Sequence, residues 1–264
     1  MLRLFALLSP IALLSFFAPP ASSINPTARH ESLATAVPQE RPFEERNYYY
    51  DGQHWVPSWF QCDGDGEVAI FKNTSGVKEQ EMLRFVPSRP DERHEIKFQA
   101  SDPDCGMMKC RVTLTGRARD KSVYVIQESH YREPEDGFWT NQYQMGRGSS
   151  EDAAGANLTQ CRWFPRLRVA AITTAGSIYI TETKAGGLVL KAFRYGAAGT
   201  QPVTLTGGRQ TVSLARGVET YSFRQKGYAY VVAVHRNNAG IEIRGGSGAA
   251  DNPLQVLAYT YVRK

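Results

Sequence analysis

From residue 68 onward the chain repeats one kind of segment, and this repeat restricts the possible fold more than any other feature. Each segment is a run of roughly four to eight residues, rich in β-branched and aromatic side chains and bounded by Gly, Pro or Asn, which is typical of β-strands. Only 79–85 suggests a helix, and it would form one short turn. We predict strands over 68–72, 82–86, 95–99, 111–115, 123–127, 139–144, 167–173, 177–183, 188–195, 203–206, 211–215, 220–224, 228–235, 241–244 and 255–261.

The connections between the later runs are short and contain Gly or Asn, as in 174–176, 184–187, 207–208, 225–227 and 237–240. Gly and Asn adopt the positive φ angles that tight hairpins need. A parallel crossover needs about a dozen residues or more, so short connections indicate antiparallel neighbours. The predicted fold class is therefore all-β: an antiparallel meander that forms a sandwich or barrel, either as one unit or as two packed β-subdomains.

Residues 1–23 have the features of a secretory signal peptide. Arg3 is the only charge, 4–18 is mostly apolar, and 19–23 contains small residues and proline. The alternative is a membrane anchor, but a spanning helix needs about 20 apolar residues and Pro10 interrupts this stretch. We therefore predict a secreted or periplasmic protein that loses this segment and has no membrane anchor.

Export would place the four cysteines in an oxidising compartment, where disulfides persist. Cys62, Cys105, Cys110 and Cys161 allow three pairings. Cys105 and Cys110 are five residues apart and close a local loop easily, which leaves Cys62 for Cys161. Soft sulfur ligands would also suit copper at 105–110, but no His or second Cys pair at zinc-like spacing accompanies them. We predict two disulfides, no metal site and no cofactor.

The 264 residues suffice for one large or two small domains. We predict a flexible leader over 24–46, since it contains prolines and no apolar period. The small, polar stretch 146–157 is either a long exposed loop or the boundary between two β-rich subdomains, 47–157 and 158–264.

Charge favours a division. Residues 24–160 carry 16 Lys and Arg against 22 Asp and Glu, whereas 161–264 carry 14 against 4. Either the acidic and basic halves attract each other and pack together, or the basic half presents a surface to an anionic partner. The net charge of +5 is too small by itself to indicate a specific nucleic-acid partner.

The segment 161–168 is the strongest candidate for an anion site. In an extended chain, Arg166 and Arg168 would share a face, with Arg162 nearby. Two guanidinium groups could then bind a carboxylate, phosphate or sulfate, and Trp163 could stack on the ligand. The alternative is a strand that enters the core and leaves its arginines in solvent.

A second candidate site is the aromatic cluster at 48–60, in which Tyr49, Trp55 and Trp59 are the main ligand-binding candidates. Aromatic rings with polar neighbours suit sugars and protein partners, because each ring offers an apolar face and a polar tip. The alternative is that these rings pack in the core or cover a sheet edge.

No catalytic residue is predicted. The His residues lie in no metal-binding pattern, and no nucleophile-elbow motif occurs. The acidic run 63–67 departs from the calcium-loop pattern and is read as a turn. A glycosidase pair formed by Glu128 with Glu133 or Glu135 is the remaining enzymatic option, against a solvated acidic loop.

The sequence therefore favours a secreted, non-enzymatic, β-rich binding protein. Its basic C-terminal half would recognise an anionic ligand or a protein partner. The alternative is a secreted protein that binds or hydrolyses carbohydrate through the aromatic cluster.

Overall fold

The structure is a computed structural model, and it describes residues 44–64, 66–106, 109–116, 123–131, 139–147, 158–196, 201–248 and 252–263. The predicted signal peptide, most of the predicted leader and most of the candidate boundary 146–157 lie outside these residues. Glu133, Glu135 and the side chain of Glu128 do as well, so the proposed glycosidase pair stays a prediction.

The described residues form twenty β-strands and no helix, and every strand pair is antiparallel, so the predicted all-β class is confirmed. The strands are β1 (Glu44–Tyr50), β2 (Trp55–Pro57), β3 (Phe60–Asp63), β4 (Val68–Phe71), β5 (Glu79–Val86), β6 (Arg89–Ala100), β7 (Asp104–Gly106), β8 (Lys109–Gly116), β9 (Val123–Tyr131), β10 (Trp139–Arg147), β11 (Leu158–Gln160), β12 (Leu167–Thr173), β13 (Gly176–Glu182), β14 (Leu188–Arg194), β15 (Val203–Ser213), β16 (Val218–Gln225), β17 (Tyr228–His235), β18 (Ile241–Ser247), β19 (Pro253–Leu254) and β20 (Val256–Arg263).

Eleven strands form the large sheet, in the order β19-β18-β17-β16-β15-β14-β13-β12-β20-β1-β2. The sheet curls until β18 lies beside β20, and the backbone N–H of Gly240 donates to the Tyr259 hydroxyl across this seam at 2.8 Å. Apolar side chains from β12 to β18 and from β20 fill the concave face. In β18, Ile241 and Ile243 point into this core, while Glu242 and Arg244 are exposed.

The other nine strands form the small sheet, in the order β11-β10-β9-β8-β6-β5-β4-β3, with β7 paired to β8. This sheet also curls and brings β3 close to β10, although they lie far apart in the strand order. The rings of Phe60 in β3 and Tyr143 in β10 stack with their centroids 3.9 Å apart. Together the two sheets form a half-barrel and a nearly closed barrel. They pack against each other through a third apolar cluster that includes Ile70 from the small sheet and Ile172 from the large one.

The disulfide pairs match the prediction. Cys62 and Cys161 lie at disulfide distance with their Cα atoms 4.7 Å apart, and those of Cys105 and Cys110 are 4.1 Å apart. The first pair joins β3 to the chain that follows β11, at the two ends of the small sheet.

Two local predictions are wrong. The segment 79–85 belongs to strand β5, in which Gln80 and Met82 alternate with more exposed neighbours. The glycines at 207 and 208 do not form a hairpin, because β15 runs through them, with an irregularity in its register against β14. A Cβ atom on Gly208 would come within 2.2 Å of the Phe223 ring, so glycine here allows a close approach of two strands.

The chain does not pass from one sheet to the other at a single point. β1 and β2 belong to the large sheet with the C-terminal strands, and β1 begins at Glu44, within the predicted leader. β11, which follows the candidate boundary, belongs to the small sheet. The division into subdomains 47–157 and 158–264 stays a prediction.

Candidate functional site

The structure places the arginines of segment 161–168 against carboxylates of the chain itself. Arg166 has a φ of 57°, so the segment is not extended there, as had been expected for an anion-binding face. The side chains of Arg166 and Arg168 nevertheless meet at Glu182, with N···O distances of 3.9 and 3.6 Å. Arg168 is 2% exposed, and it also lies 3.3 Å from a carboxylate oxygen of Glu219. The anion between these two arginines is therefore an internal one.

Arg162, which lies between the two sheets, is also paired with a carboxylate of the chain itself. Its guanidinium lies 2.7 Å from Oδ1 of Asp63, a buried carboxylate at the end of β3. Oδ2 of Asp63 accepts hydrogen bonds from the hydroxyl groups of Ser177 and Tyr179, the latter at 2.9 Å. The Arg162 guanidinium also lies 4.2 Å from the centre of the Phe193 ring. This network joins the small sheet to the outer face of β13.

Trp163 is half-buried and lines a small cavity between the sheets, of about 40 Å³, together with Arg162. Glu45 also lines it and accepts a hydrogen bond from the backbone of Asn141 at 3.2 Å. Burial raises the pKa of Glu45, although hydrogen bonds from Asn141 and Asn47 oppose the shift. Small-molecule sites have volumes of roughly 300–1,000 Å³, so this cavity is far too small for a stacked ligand.

A buried polar cluster fills one end of the large sheet. The carboxylate of Glu219 accepts hydrogen bonds from Tyr221, from Tyr261 at 2.6 Å and from Gln210 at 2.6 Å. Burial opposes ionisation, but the two phenols and Arg168 more than compensate and lower the pKa of Glu219. Burial raises the pKa of Tyr221 and of Tyr261, so both phenols keep their protons and remain donors.

The other end of the large sheet is open. β16 runs from Glu219 in the polar cluster to Gln225, which pairs with Tyr228 at the start of β17. Around Tyr228 the ends of β12, β14 and β18 surround a cavity of about 320 Å³, which we call the mouth. Its apolar wall consists of Ile178, Ala192, Val203 and Leu254.

The mouth is also lined by polar residues, among them Arg194, Tyr228 and Tyr230. Burial raises the pKa of Tyr230, Tyr228 adds to the shift, and the positive charge of Arg194 opposes it. The Tyr230 phenol therefore keeps its proton at neutral pH and can donate a hydrogen bond. Arg194 is exposed, and no carboxylate in the described part of the chain pairs with it. The mouth thus combines an apolar wall with a guanidinium group and phenolic donors.

A glycine shapes the mouth beside Tyr230. Gly245 has a φ of 148°, which disfavours other residues. A Cβ atom there would lie 2.3 Å from the carbonyl oxygen of Ala229 and 2.8 Å from Cα of Tyr230. Glycine thus lets β18 pass close to β17 at this point.

The aromatic cluster at 48–60 is divided among several environments. Trp59 is 5% exposed and packs in the core of the small sheet, and Tyr49 packs between the sheets. Trp55 is half-buried and places its edge against Tyr259, with centroids 4.9 Å apart. Tyr50, at the surface, lies 5.3 Å from Trp55. Of the three predicted ligand-binding rings, the structure leaves Trp55 beside an open cavity.

The acidic run 63–67 has protein partners of its own. Asp63 pairs with Arg162, and Glu67 pairs with Arg84. Among the described residues, no group of three or more His, Cys, Asp and Glu side chains could hold a metal ion. The same part of the chain contains no helix with the length and apolar character needed to cross a bilayer.

The residues of the mouth were missed by the sequence predictions. Alternation places Tyr228 and Tyr230 on the same side of β17 as the buried Val232 and Val234, which is a signal the sequence does carry. Arg194 ends a different strand, and only the curl of the whole sheet brings it to the tyrosines.

No family model matches the chain, and no curated protein or solved structure is significantly similar to it.

Proposed function

We propose that the protein is a non-enzymatic binding protein, and that the mouth of its large sheet holds a small ligand with an apolar body and an anionic group. The observation that carries this proposal is the cavity of about 320 Å³ with Arg194 at its edge. Small-molecule sites have volumes of roughly 300–1,000 Å³, are mostly apolar, contain a few polar groups, and occur in the mouths of β-barrels.

The polar groups define the ligand's head group. A guanidinium can bind a carboxylate or phosphate through two parallel hydrogen bonds, and Arg194 has no internal carboxylate among the described residues to compete for it. Tyr228 and Tyr230 would donate further hydrogen bonds to the same anion. The apolar body would lie against Ile178 and Val203, where burial stabilises it by about 25 cal/mol per Å².

This proposal keeps the anionic ligand expected of the basic half but moves its site from segment 161–168 to the mouth. The two disulfides are compatible with an extracellular or periplasmic location. Export through the predicted signal peptide is part of the proposal. Binding of a protein partner by the basic half stays a prediction.

The test is calorimetric titration with octanoate and with octanol, which share an apolar body and differ in charge. We expect octanoate to bind more tightly, and Arg194→Gln to weaken octanoate binding roughly ten- to a hundredfold, as loss of a hydrogen bond to a charged group does. Octanol binding should not respond to this substitution.

Lys226→Gln is the matched control, since it removes an exposed positive charge on the turn next to Tyr228 without touching the mouth. It should leave octanoate affinity nearly unchanged. Absence of binding by either compound would contradict the proposed site. Equal weakening by Arg194→Gln and Lys226→Gln would contradict the role of Arg194.

A further inference from the structure

A second open cavity, of about 460 Å³, runs along the seam of the large sheet, where the end of β1 and the start of β2 approach β18 and β19. We call it the seam groove. Its distinctive lining residues are Tyr50, Trp55, Glu242, Arg244 and Gln255. Its volume lies within the range of small-molecule sites.

The aromatic side of the seam groove is held in place by the sheet. Tyr50 and Trp55 are directly paired across β1 and β2, and their rings are tilted by 49°. Trp55 is fixed from behind by the edge-to-face contact with Tyr259, whose ring belongs to the core. Tyr50 is 38% exposed. The groove therefore presents a fixed aromatic surface, and these two side chains would lose little conformational entropy when a ligand binds.

The opposite side of the groove is polar but electrically balanced. Glu242 and Arg244 lie on the outer face of β18, 3.5 Å apart, with side chains 61% and 55% exposed. Gln255 is exposed beside them. These groups offer both hydrogen-bond acceptors and donors, and the carboxylate and the guanidinium cancel each other's charge.

From this arrangement we propose that the seam groove binds a neutral carbohydrate. A sugar ring has an apolar face that can stack on Tyr50 or Trp55, and hydroxyl groups that both donate and accept hydrogen bonds. Those hydroxyl groups would satisfy Glu242, Arg244 and Gln255 together. An apolar chain would remove this ion pair from water without offering it hydrogen bonds, and the balanced charges give an anion no net attraction. The seam groove shares Leu254 with the mouth, but Tyr50, Trp55 and Glu242 line the groove alone, so this proposal does not depend on the function proposed for the mouth.

The test is a fluorescence titration of the intact protein with maltose, cellobiose, lactose and diacetylchitobiose at millimolar concentrations. Because Trp55 lines the groove, a bound sugar should change the tryptophan emission. Tyr50→Ala and Glu242→Gln should each raise the dissociation constant of the best sugar about tenfold.

Glu92→Gln is the matched control. Glu92 forms an exposed ion pair of the same length with Arg89, at 3.5 Å, but on the small sheet. It should leave sugar binding unchanged. If Tyr50→Ala fails to fold, Glu242→Gln alone decides the matter, since its side chain is exposed. No emission change with any of the four sugars, or a change that both groove variants retain, would overturn the proposal.

Discussion

At the scale of single residues, the most informative feature is that buried charged side chains pair with each other. Arg162 and Arg168 attracted attention in the sequence as ligand-binding groups, yet each is paired with a buried carboxylate, Asp63 or Glu219. Sequence spacing could not show this, because Asp63 and Arg162 are far apart in the chain. Removing one partner of a buried ion pair leaves an uncompensated charge, which is strongly destabilising.

Glu219→Gln should therefore destabilise the protein by about 3–5 kcal/mol at neutral pH. The pKa of Glu219 is lowered in the folded state from its ordinary value of 4.5, so its contribution is fully present above that value. It is lost as the pH falls through the folded-state pKa. We therefore expect the difference in the free energy of unfolding between wild type and Glu219→Gln to become smaller as the pH falls below 4.5. Urea denaturation at a series of pH values measures this difference.

Glu92→Gln again serves as the control, because its ion pair is exposed and exposed pairs contribute only about 0–1 kcal/mol. A difference between wild type and Glu219→Gln that stays constant at all pH values would contradict the assignment of a buried, ionised Glu219.

At the scale of elements, strands with a clear apolar run could be predicted, whereas the seven-residue β1 and several short strands could not. β12 and β17 follow alternating or continuously apolar runs, and their predicted bounds of 167–173 and 228–235 match the structure. β2, β3 and β19 have four residues or fewer and show no apolar period, whereas the equally short β4 could be predicted because all four of its residues are apolar. These short strands form because neighbouring strands of the sheet hydrogen-bond to them.

β15 shows a different failure, and it can be tested. A pair of glycines usually marks a turn, but here Gly208 lies opposite the buried ring of Phe223, which is 3% exposed. Gly208→Ala places a Cβ atom within 2.2 Å of that ring, so the ring or the strand must shift. We expect a loss of about 1–3 kcal/mol in thermal or urea unfolding, as for other overpacked cores.

Gly66→Ala provides the comparison for this substitution. Among the described residues, no atom lies within 4 Å of the added methyl group, and Gly66 is not among the glycines found with positive φ. Its stability should change by much less than that of Gly208→Ala. Equal effects would show that the close approach of β15 to Phe223 is not what requires glycine.

At the scale of the whole molecule, two curled sheets are held together by apolar packing, by the Asp63 network and by the chain itself, which changes sheet between β2 and β3 and between β11 and β12. The alternation of residues indicated which side chains are buried, but not how far each sheet curls. The mouth and the seam groove both depend on that curl, since each combines residues from strands distant in sequence. For this reason the sequence indicated Trp55 but not Arg194, Tyr230 or Glu242.

The long disulfide acts at this same scale. Cys62 and Cys161 are separated by 99 residues, and closing a loop of about 100 residues contributes about 4.7 kcal/mol in the chain-entropy model. The loop from Cys105 to Cys110 contributes about 2 kcal/mol by the same relation. Replacing the first pair with alanines should therefore lower the free energy of unfolding more than replacing the second. The reverse order in denaturant titrations would contradict this account.

The central claim is that the mouth of the large sheet binds a small amphipathic anion. The most direct measurement is a nuclear magnetic resonance titration of methyl-labelled protein with octanoate. We predict shifts of the methyl signals of Ile178, Ala192 and Val203, which line the mouth, and no shifts of Ile70 or Ile172, which lie between the sheets. Unchanged signals at the mouth, or shifts confined to residues outside it, would contradict the claim.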